Sequence, residues 1–411
     1  MFGWFKELTA PEKKALIAAY GGWSVDAFDF MIYSFLIPTL IAAWGMSKGQ
    51  AGMIATSALL LSAVGGWAAG VLADRFGRVR VLQITIGWFA FFTFLSGFTN
   101  SFEQLLITRS LQGLGFGGEW AVGSVMIGEI IRAQHRGKAV GTVQSGWAIG
   151  WGGAAVMFTV LFSVLPEDLA WRALFWTGLL PALLILYVRK YVEEPAVFHA
   201  TRERKKEQGG SFLEIFSPGL LRITLLTSLM ATGMQGGYYA ITTWLPTFLK
   251  TERGLSVVNT GGYLGVVIAG SLAGYLVAAH LADRIGRRNT FFIFAISSAC
   301  IATAYTFLPI SNVTMLVLGF PLGFFVSGNF SGVGAFFTEL FPSRVRGSGQ
   351  GFAYNFGRGV GALFPALVGF LSQKMGLGAA IGVFAGSAFA IVVVAVSLLP
   401  ETRGKQLAAY D

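Results

Sequence analysis

Charge is scarce in this chain. Asp, Glu, Lys and Arg make up 12% of its 411 residues, about half of the roughly 25% found in an ordinary soluble domain. Hydrophobic residues reach 54% and the mean hydropathy is +0.65, so water is not the solvent for most of the surface. Cysteine occurs once, at Cys300, which excludes an intrachain disulfide; its apolar surroundings predict a side chain packed in the core. The only histidines are His135, His199 and His280, none at the spacing of a metal site. The glycine-rich run near residue 115 follows no strand pattern, so it is not a dinucleotide loop, and an enzyme finds no support. Met1 to Lys14 lacks the apolar stretch and small-residue cleavage site of a secretory signal, so the first apolar helix is expected to direct insertion.

What is abundant is glycine, 55 residues, and phenylalanine, 37 residues, a composition suited to helices packed closely in lipid. Apolar stretches long enough to cross a ~30 Å hydrocarbon core run over Ala15–Ala43, Ala51–Ala73, Val81–Phe98, Phe102–Ile131, Ala139–Leu165 and Leu169–Val188. After a charged stretch they resume at Leu220–Leu249, Val257–Ala282, Thr290–Leu308, Asn312–Phe341, Ser348–Leu371 and Ala379–Leu399. The expected architecture is all-α and integral to the membrane. Twelve spans form a six-helix bundle over residues 1–191, a cytoplasmic linker over 192–219 and a second bundle over 220–411.

The net charge of +10 is a topology signal, not a nucleic-acid footprint. Lys6, Lys13, Lys14, Arg75, Arg78, Arg80, Arg132, Arg136, Lys138, Arg189, Lys190, Arg202, Arg204, Lys205, Lys206, Arg284, Arg287, Arg288, Arg344, Arg346, Arg403 and Lys405 fall on one side. They are 22 of the 30 basic residues. Lys48, Arg172, Lys250, Arg253 and Lys374 fall on the other. The excess predicts cytoplasmic loops and both termini on that side of a plasma (inner) membrane.

Two segments recur at one spacing. Leu72-Ala73-Asp74-Arg75-Phe76-Gly77-Arg78 returns 209 residues later as Leu281-Ala282-Asp283-Arg284-Ile285-Gly286-Arg287, and Glu129 with Arg136-Gly137 returns 210 later as Glu339 with Arg346-Gly347. Each occupies the equivalent loop of its half, the trace of two parallel repeats.

These motifs resemble the major facilitator superfamily. Gly70-x-Leu72-x-Asp74-Arg75-x-Gly77-Arg78-x-Arg80 is similar to its loop between spans 2 and 3. Arg109-x-x-x-Gly113-x-Gly115-x-Gly117-Gly118-Glu119, Glu193-Glu194-Pro195 and Pro400-Glu401-Thr402-Arg403-Gly404 resemble its sugar-porter-like and metabolite–proton symporter branches. Asp26-Ala27-Phe28-Asp29-Phe30 and Tyr354-Asn355-x-Gly357-Arg358 look most like the sialate, monocarboxylate (lactate-type) and aromatic-acid proton symporters. A proline among Gly146, Gly150, Gly152 and Gly153, typical of drug antiporters, is missing. The resemblance implies a secondary transporter working by alternating access, with Asp74, Arg78, Glu129, Asp283, Arg287 and Glu339 as inter-helix gating charges.

Asp26, Asp29, Arg109, Glu119 and Arg358 fall inside apolar spans, where an unpaired charge costs at least ~3 kcal/mol and marks a pathway or relay. Asp26 and Asp29, three apart, share a helix face. By resemblance to proton-coupled sugar porters, Asp29 facing Arg109 is the favoured proton site and Asp26 the alternative; a static pair ordering spans 1 and 4 is the other reading. Glu119 suits a structural hydrogen bond as well as a proton role. Arg358 has no acidic residue in its own span and invites an anionic substrate, or else pairs with Asp26, Asp29 or Glu119, or packs near Tyr354 and Asn355. Gln144, Trp147, Gln235, Tyr238, Tyr239, Asn329, Tyr354 and Asn355 are candidates to complete the pocket, although adjacent Tyr238 and Tyr239 cannot both face it squarely.

The expected function is proton-coupled uptake of a small organic anion: a monocarboxylate, sialic acid or aromatic acid. Sugar transport is the alternative, with efflux and a membrane sensor behind it. No cofactor, metal or nucleic acid is expected. The partners are the substrate, protons and the bilayer, and the monomer is expected to be the working unit.

Overall fold

The computed structural model of the chain describes residues 3–191, 212–342 and 345–403. Among the described residues every regular element is helical. A short helix α1 (Gly3–Lys6) precedes α2 (Ala10–Trp44), α3 (Lys48–Phe76), α4 (Arg78–Ser96), α5 (Phe102–Ile130) and α6 (Ala133–Val164). The sixth span is broken into α7 (Glu167–Trp176), a 3-10 turn at Thr177–Leu179 and α8 (Ala182–Tyr191). The second half holds α9 (Leu221–Thr251), α10 (Val257–Ile285), α11 (Arg287–Phe307), α12 (Asn312–Gly328), α13 (Val333–Leu340), α14 (Arg346–Gly361), α15 (Phe364–Met375) and α16 (Leu377–Leu398). Nine segments of the described residues are long and apolar enough to cross a membrane. The remaining spans, α5, α9 and α14–α15, supply several polar residues of the interior. Much of the predicted linker, 192–211, lies outside the described residues. Its end, Phe212–Phe216, is a 3-10 turn whose Ile215 carbonyl accepts from Thr224 Oγ1 at 2.6 Å.

Local chemistry sets the helix ends. Ser47 accepts from the Gln50 amide while the Gln50 side chain accepts from the Ser47 amide, a capping box that starts α3. Gly77 and Gly286, the glycines of the repeated loop motif, both sit at φ 102°. That left-handed value turns each chain abruptly into the next helix and strains any residue with a Cβ.

The repeat reappears as packing. In the first half α3 lies against α5 so closely that a Cβ on Gly113 would meet the Ala58 carbonyl, and one on Gly65 the Leu114 carbonyl. In the second half α10 meets α12 the same way, Gly323 on the Val267 carbonyl and Gly274 on the Phe324 carbonyl. Lipid gives helices no hydrophobic drive to associate, so this backbone proximity supplies the dispersion contact that holds each half. Between halves, α6 packs on α10, α3 on α14 and α15, and α2 on α9. Cys300 departs from expectation. It is exposed, because in a bilayer protein an apolar run faces lipid as readily as core.

Candidate functional site

Two buried polar groupings occupy the interior. The first belongs to one half. Asp29 of α2 has its Oδ2 3.8 Å from Arg109 Nη1 of α5 and accepts a short hydrogen bond from Gln112 Nε2. Arg109 Nη1 also donates to Thr93 Oγ1 of α4 at 3.4 Å, and its guanidinium lies over the rings of Tyr33 and Phe175 at 5.8 and 5.9 Å. Both charged side chains are buried, while Asp29 Oδ1 and Arg109 Nε have no hydrogen-bond partner among the described residues. The break in the sixth span brings Gly178 against Thr93 and within reach of Asp29 Oδ1. One carboxylate oxygen is therefore held by Gln112 and Arg109, while the other makes no hydrogen bond among the described residues.

The second grouping lies between the halves. Trp23, Phe116, Gln144 and Trp147 face Tyr238, Tyr239, Tyr275, Phe330, Tyr354 and Arg358 around a cavity of about 20 Å³. Arg358, on α14, is 2% exposed. Its guanidinium carbon lies 5.3 Å from the Tyr354 ring centroid and 5.8 Å from that of Phe116, so a cation from the second half rests on an aromatic face of the first. Arg358 Nε has no hydrogen-bond partner among the described residues. Trp147 Nε1 donates to the Tyr238 hydroxyl at 2.6 Å, a direct bond between halves across the cavity.

Asp26 stands on α2 between the two groupings. Its position lies between Trp23 and Phe30 on one face of α2; Trp23 lines the cavity, and Phe30 stacks on Phe116 with ring centroids 5.6 Å apart. Asp26 is fully buried.

The cavity gathers Arg358, Tyr354, Tyr238, Tyr239, Gln144 and Trp147 of the residues singled out from sequence. Both adjacent tyrosines line it. Their rings lie 6.0 Å apart with planes at 77°, so the two do not face it in the same way. Gln235 sits behind them, donating to the Tyr354 carbonyl at 2.8 Å and accepting from the Tyr239 hydroxyl at 3.3 Å. Asn329 and Asn355 are not among the lining residues. Asn329 donates to Ser298 Oγ and the Phe325 carbonyl; Asn355 donates to the Gly351 carbonyl and lies against Gly66. Trp23, Phe116, Tyr275 and Phe330 were not anticipated. Trp23, one turn before Asp26, had a signal in its spacing, but the others are aromatics among many.

Of the gating charges, Arg287 and Glu339 meet at 3.2 Å, and Thr402 donates to Glu339 at 2.5 Å. The side chains of Asp74, Arg78, Glu119, Glu129 and Asp283 lie outside the described residues. At the opposite end the halves are joined. Lys250 of α9 reaches Glu167 of α7 at 3.5 Å, and Thr56 of α3 accepts from the Ala366 amide of α15 at 3.1 Å.

Comparison with known proteins decides the family. The profile of the Major Facilitator Superfamily matches residues 20–312 and 264–409. The chain belongs to the major facilitator superfamily. Within it, the chain is 43% identical over 404 residues to a probable 4-methylmuconolactone transporter of Cupriavidus pinatubonensis, covering 98% of this chain and 94% of that one. It is 30% identical over 399 residues to a cis,cis-muconate transport protein of Acinetobacter baylyi, covering 95% of each. It is 28% identical over 394 residues to a sialic acid transporter of Escherichia coli, covering 96% of this chain and 95% of that one. The inward-open xylose transporter of E. coli superposes with a TM-score of 0.76 at 18% identity, over 95% of this chain and 97% of that chain, a likeness of fold. The protein is therefore a multi-pass membrane transporter of the superfamily, not an enzyme, and the muconate and sialic acid transporters among its relatives are named for small organic acids.

Proposed function

We propose that the protein takes up a small organic monocarboxylate with a flat, unsaturated or aromatic body, together with protons, by alternating access across the inner membrane with both termini cytoplasmic. The observation that carries this reading is Arg358, a buried guanidinium between Phe116 and Tyr354 in a cavity walled by rings of both halves. A carboxylate satisfies the cation, and the rings stack on a planar body. Niacin, muconate and sialic acid, named for relatives, all carry carboxylates. A sugar site would be lined by neutral hydrogen-bonding groups, so the fold likeness to a xylose transporter does not favour sugar here.

In this proposal Asp26 and the substrate compete for Arg358. A proton held on Asp26 keeps the guanidinium free for the substrate, and Asp29, whose other oxygen Gln112 and Arg109 hold, takes a proton of its own. Carrying the anion with protons offsets the roughly 2.3 kcal/mol per charge per 100 mV opposing its entry. A cavity of about 20 Å³ has room for about one water, so admission of a substrate requires the Trp147–Tyr238 contact to open. The test is a panel of benzoate, nicotinate, muconate, lactate, sialic acid and hexoses in proteoliposomes with an imposed pH gradient. Accumulation of a planar carboxylate with the gradient supports the proposal; accumulation of hexoses alone, or uptake indifferent to the gradient, refutes it.

A further inference from the structure

A larger hollow than the central cavity lies on the outside of the bundle. It occupies about 500 Å³ over the seam where α6 of the first half meets α10 of the second. The helices touch through small residues along their length, Gly141 near Ala279, Gly152 near Ile268 and Gly261 near Thr159. Over this seam, exposed Ile149, Val156 and Val160 of α6 form a raised rim. Facing them, Gly262, Gly265 and Ala269 leave α10 bare, and a Cβ at Gly262 or Gly265 would have no neighbour within 4 Å.

Two observations identify the occupant. The hollow lies within two candidate membrane spans, Lys138–Val164 and Val257–Ala282, where the surrounding medium is hydrocarbon. Its single polar side chain, Thr159, already donates its hydroxyl to the Ala155 carbonyl at 2.8 Å, so nothing in the lining offers a water the two to four partners it needs. The elongated, apolar shape between a rim and a stripped helix suits one extended chain. Exposed Ser163 and Asn259 stand near the end of α6 and the start of α10, at the ends of the two candidate spans.

We propose that this groove binds one acyl chain of a membrane phospholipid, held across both halves of the transporter. A chain seated there touches helices of both halves. The inference is independent of the substrate reading, and its test does not use transport. Full-length protein is reconstituted in phosphatidylethanolamine and phosphatidylglycerol vesicles with a trace of phosphatidylcholine bearing a diazirine within one chain, irradiated, and mapped by peptide mass spectrometry. The expected result is several-fold more label on residues 148–160 and 258–272 than on the lipid-facing stretch around Val383 and Val394. Gly265→Leu and Gly262→Leu, which have space for the new side chain, should each lower the groove label several-fold and leave α16 unchanged. Equal labelling of groove and α16, or groove labelling indifferent to both substitutions, overturns the proposal. So does a disulfide linking two copies through Gly265→Cys in a Cys300→Ser background, which would make the groove a protein interface.

Discussion

Replacing Arg358 with glutamine removes a guanidinium that is 2% exposed and flanked by Phe116 and Tyr354. A hydrogen bond to a charged group contributes about 1.5–3 kcal/mol, and the two ring contacts hold the guanidinium in place for it. Some of the stacking is retained by the glutamine amide, so about 2–3 kcal/mol of carboxylate binding should be lost, a factor of roughly 30 to 150. An uncharged amide of the same shape meets the guanidinium through one neutral carbonyl and not as a bidentate ion pair, so its affinity should fall by less, about 1 kcal/mol. The comparison of benzoate with benzamide, or nicotinate with nicotinamide, is read by quenching of tryptophan fluorescence, since Trp23 and Trp147 line the cavity. Arg358→Lys keeps the charge but not the planar fork and should fall between. Equal weakening of acid and amide would show that Arg358 only orders the aromatic walls and does not meet the substrate.

Asp29→Asn should abolish accumulation driven by a pH gradient while preserving substrate exchange; full proton-driven uptake by this variant would remove Asp29 from coupling. Asp26→Asn should make carboxylate binding independent of pH and no weaker than wild type at acid pH, because it leaves Arg358 without its anionic competitor; unchanged pH dependence in binding assays would count against that role. In the wild type, uptake at constant inside pH should decline as outside pH rises, because the protonated form is the one that frees Arg358. Gly113→Val places a side chain on the Ala58 carbonyl and should cost more than about 3 kcal/mol, seen as lost monodisperse protein on size exclusion, whereas Gly262→Ala should leave the thermal midpoint within a degree or two. Trp147→Phe removes the 2.6 Å bond to Tyr238 and should speed labelling of a cavity cysteine by a soluble maleimide; an unaltered rate would show that this bond does not hold the cavity shut.

The sequence by itself determined the architecture. Apolar stretches separated by charged breaks dictate the spans because no other arrangement satisfies backbone polar groups in lipid. The doubled Asp-Arg-x-Gly-Arg loop dictates two like halves, and its glycines adopt the same φ of 102° in each. The intramembrane charges also announced themselves, since each is rare in its surroundings. Rotation was not legible. A span apolar on every side carries no 3.6-residue stripe to say which face turns inward, so Asn329 and Asn355 had the same standing as Gln144, and Cys300 looked buried when it faces out. Tertiary structure alone decided that Phe116, Tyr275 and Phe330 join Arg358, and that Asp29 is enclosed by Gln112, Arg109 and Thr93 of its own half. These meetings join residues far apart in the chain, fixed by close helix approach and not by any local pattern.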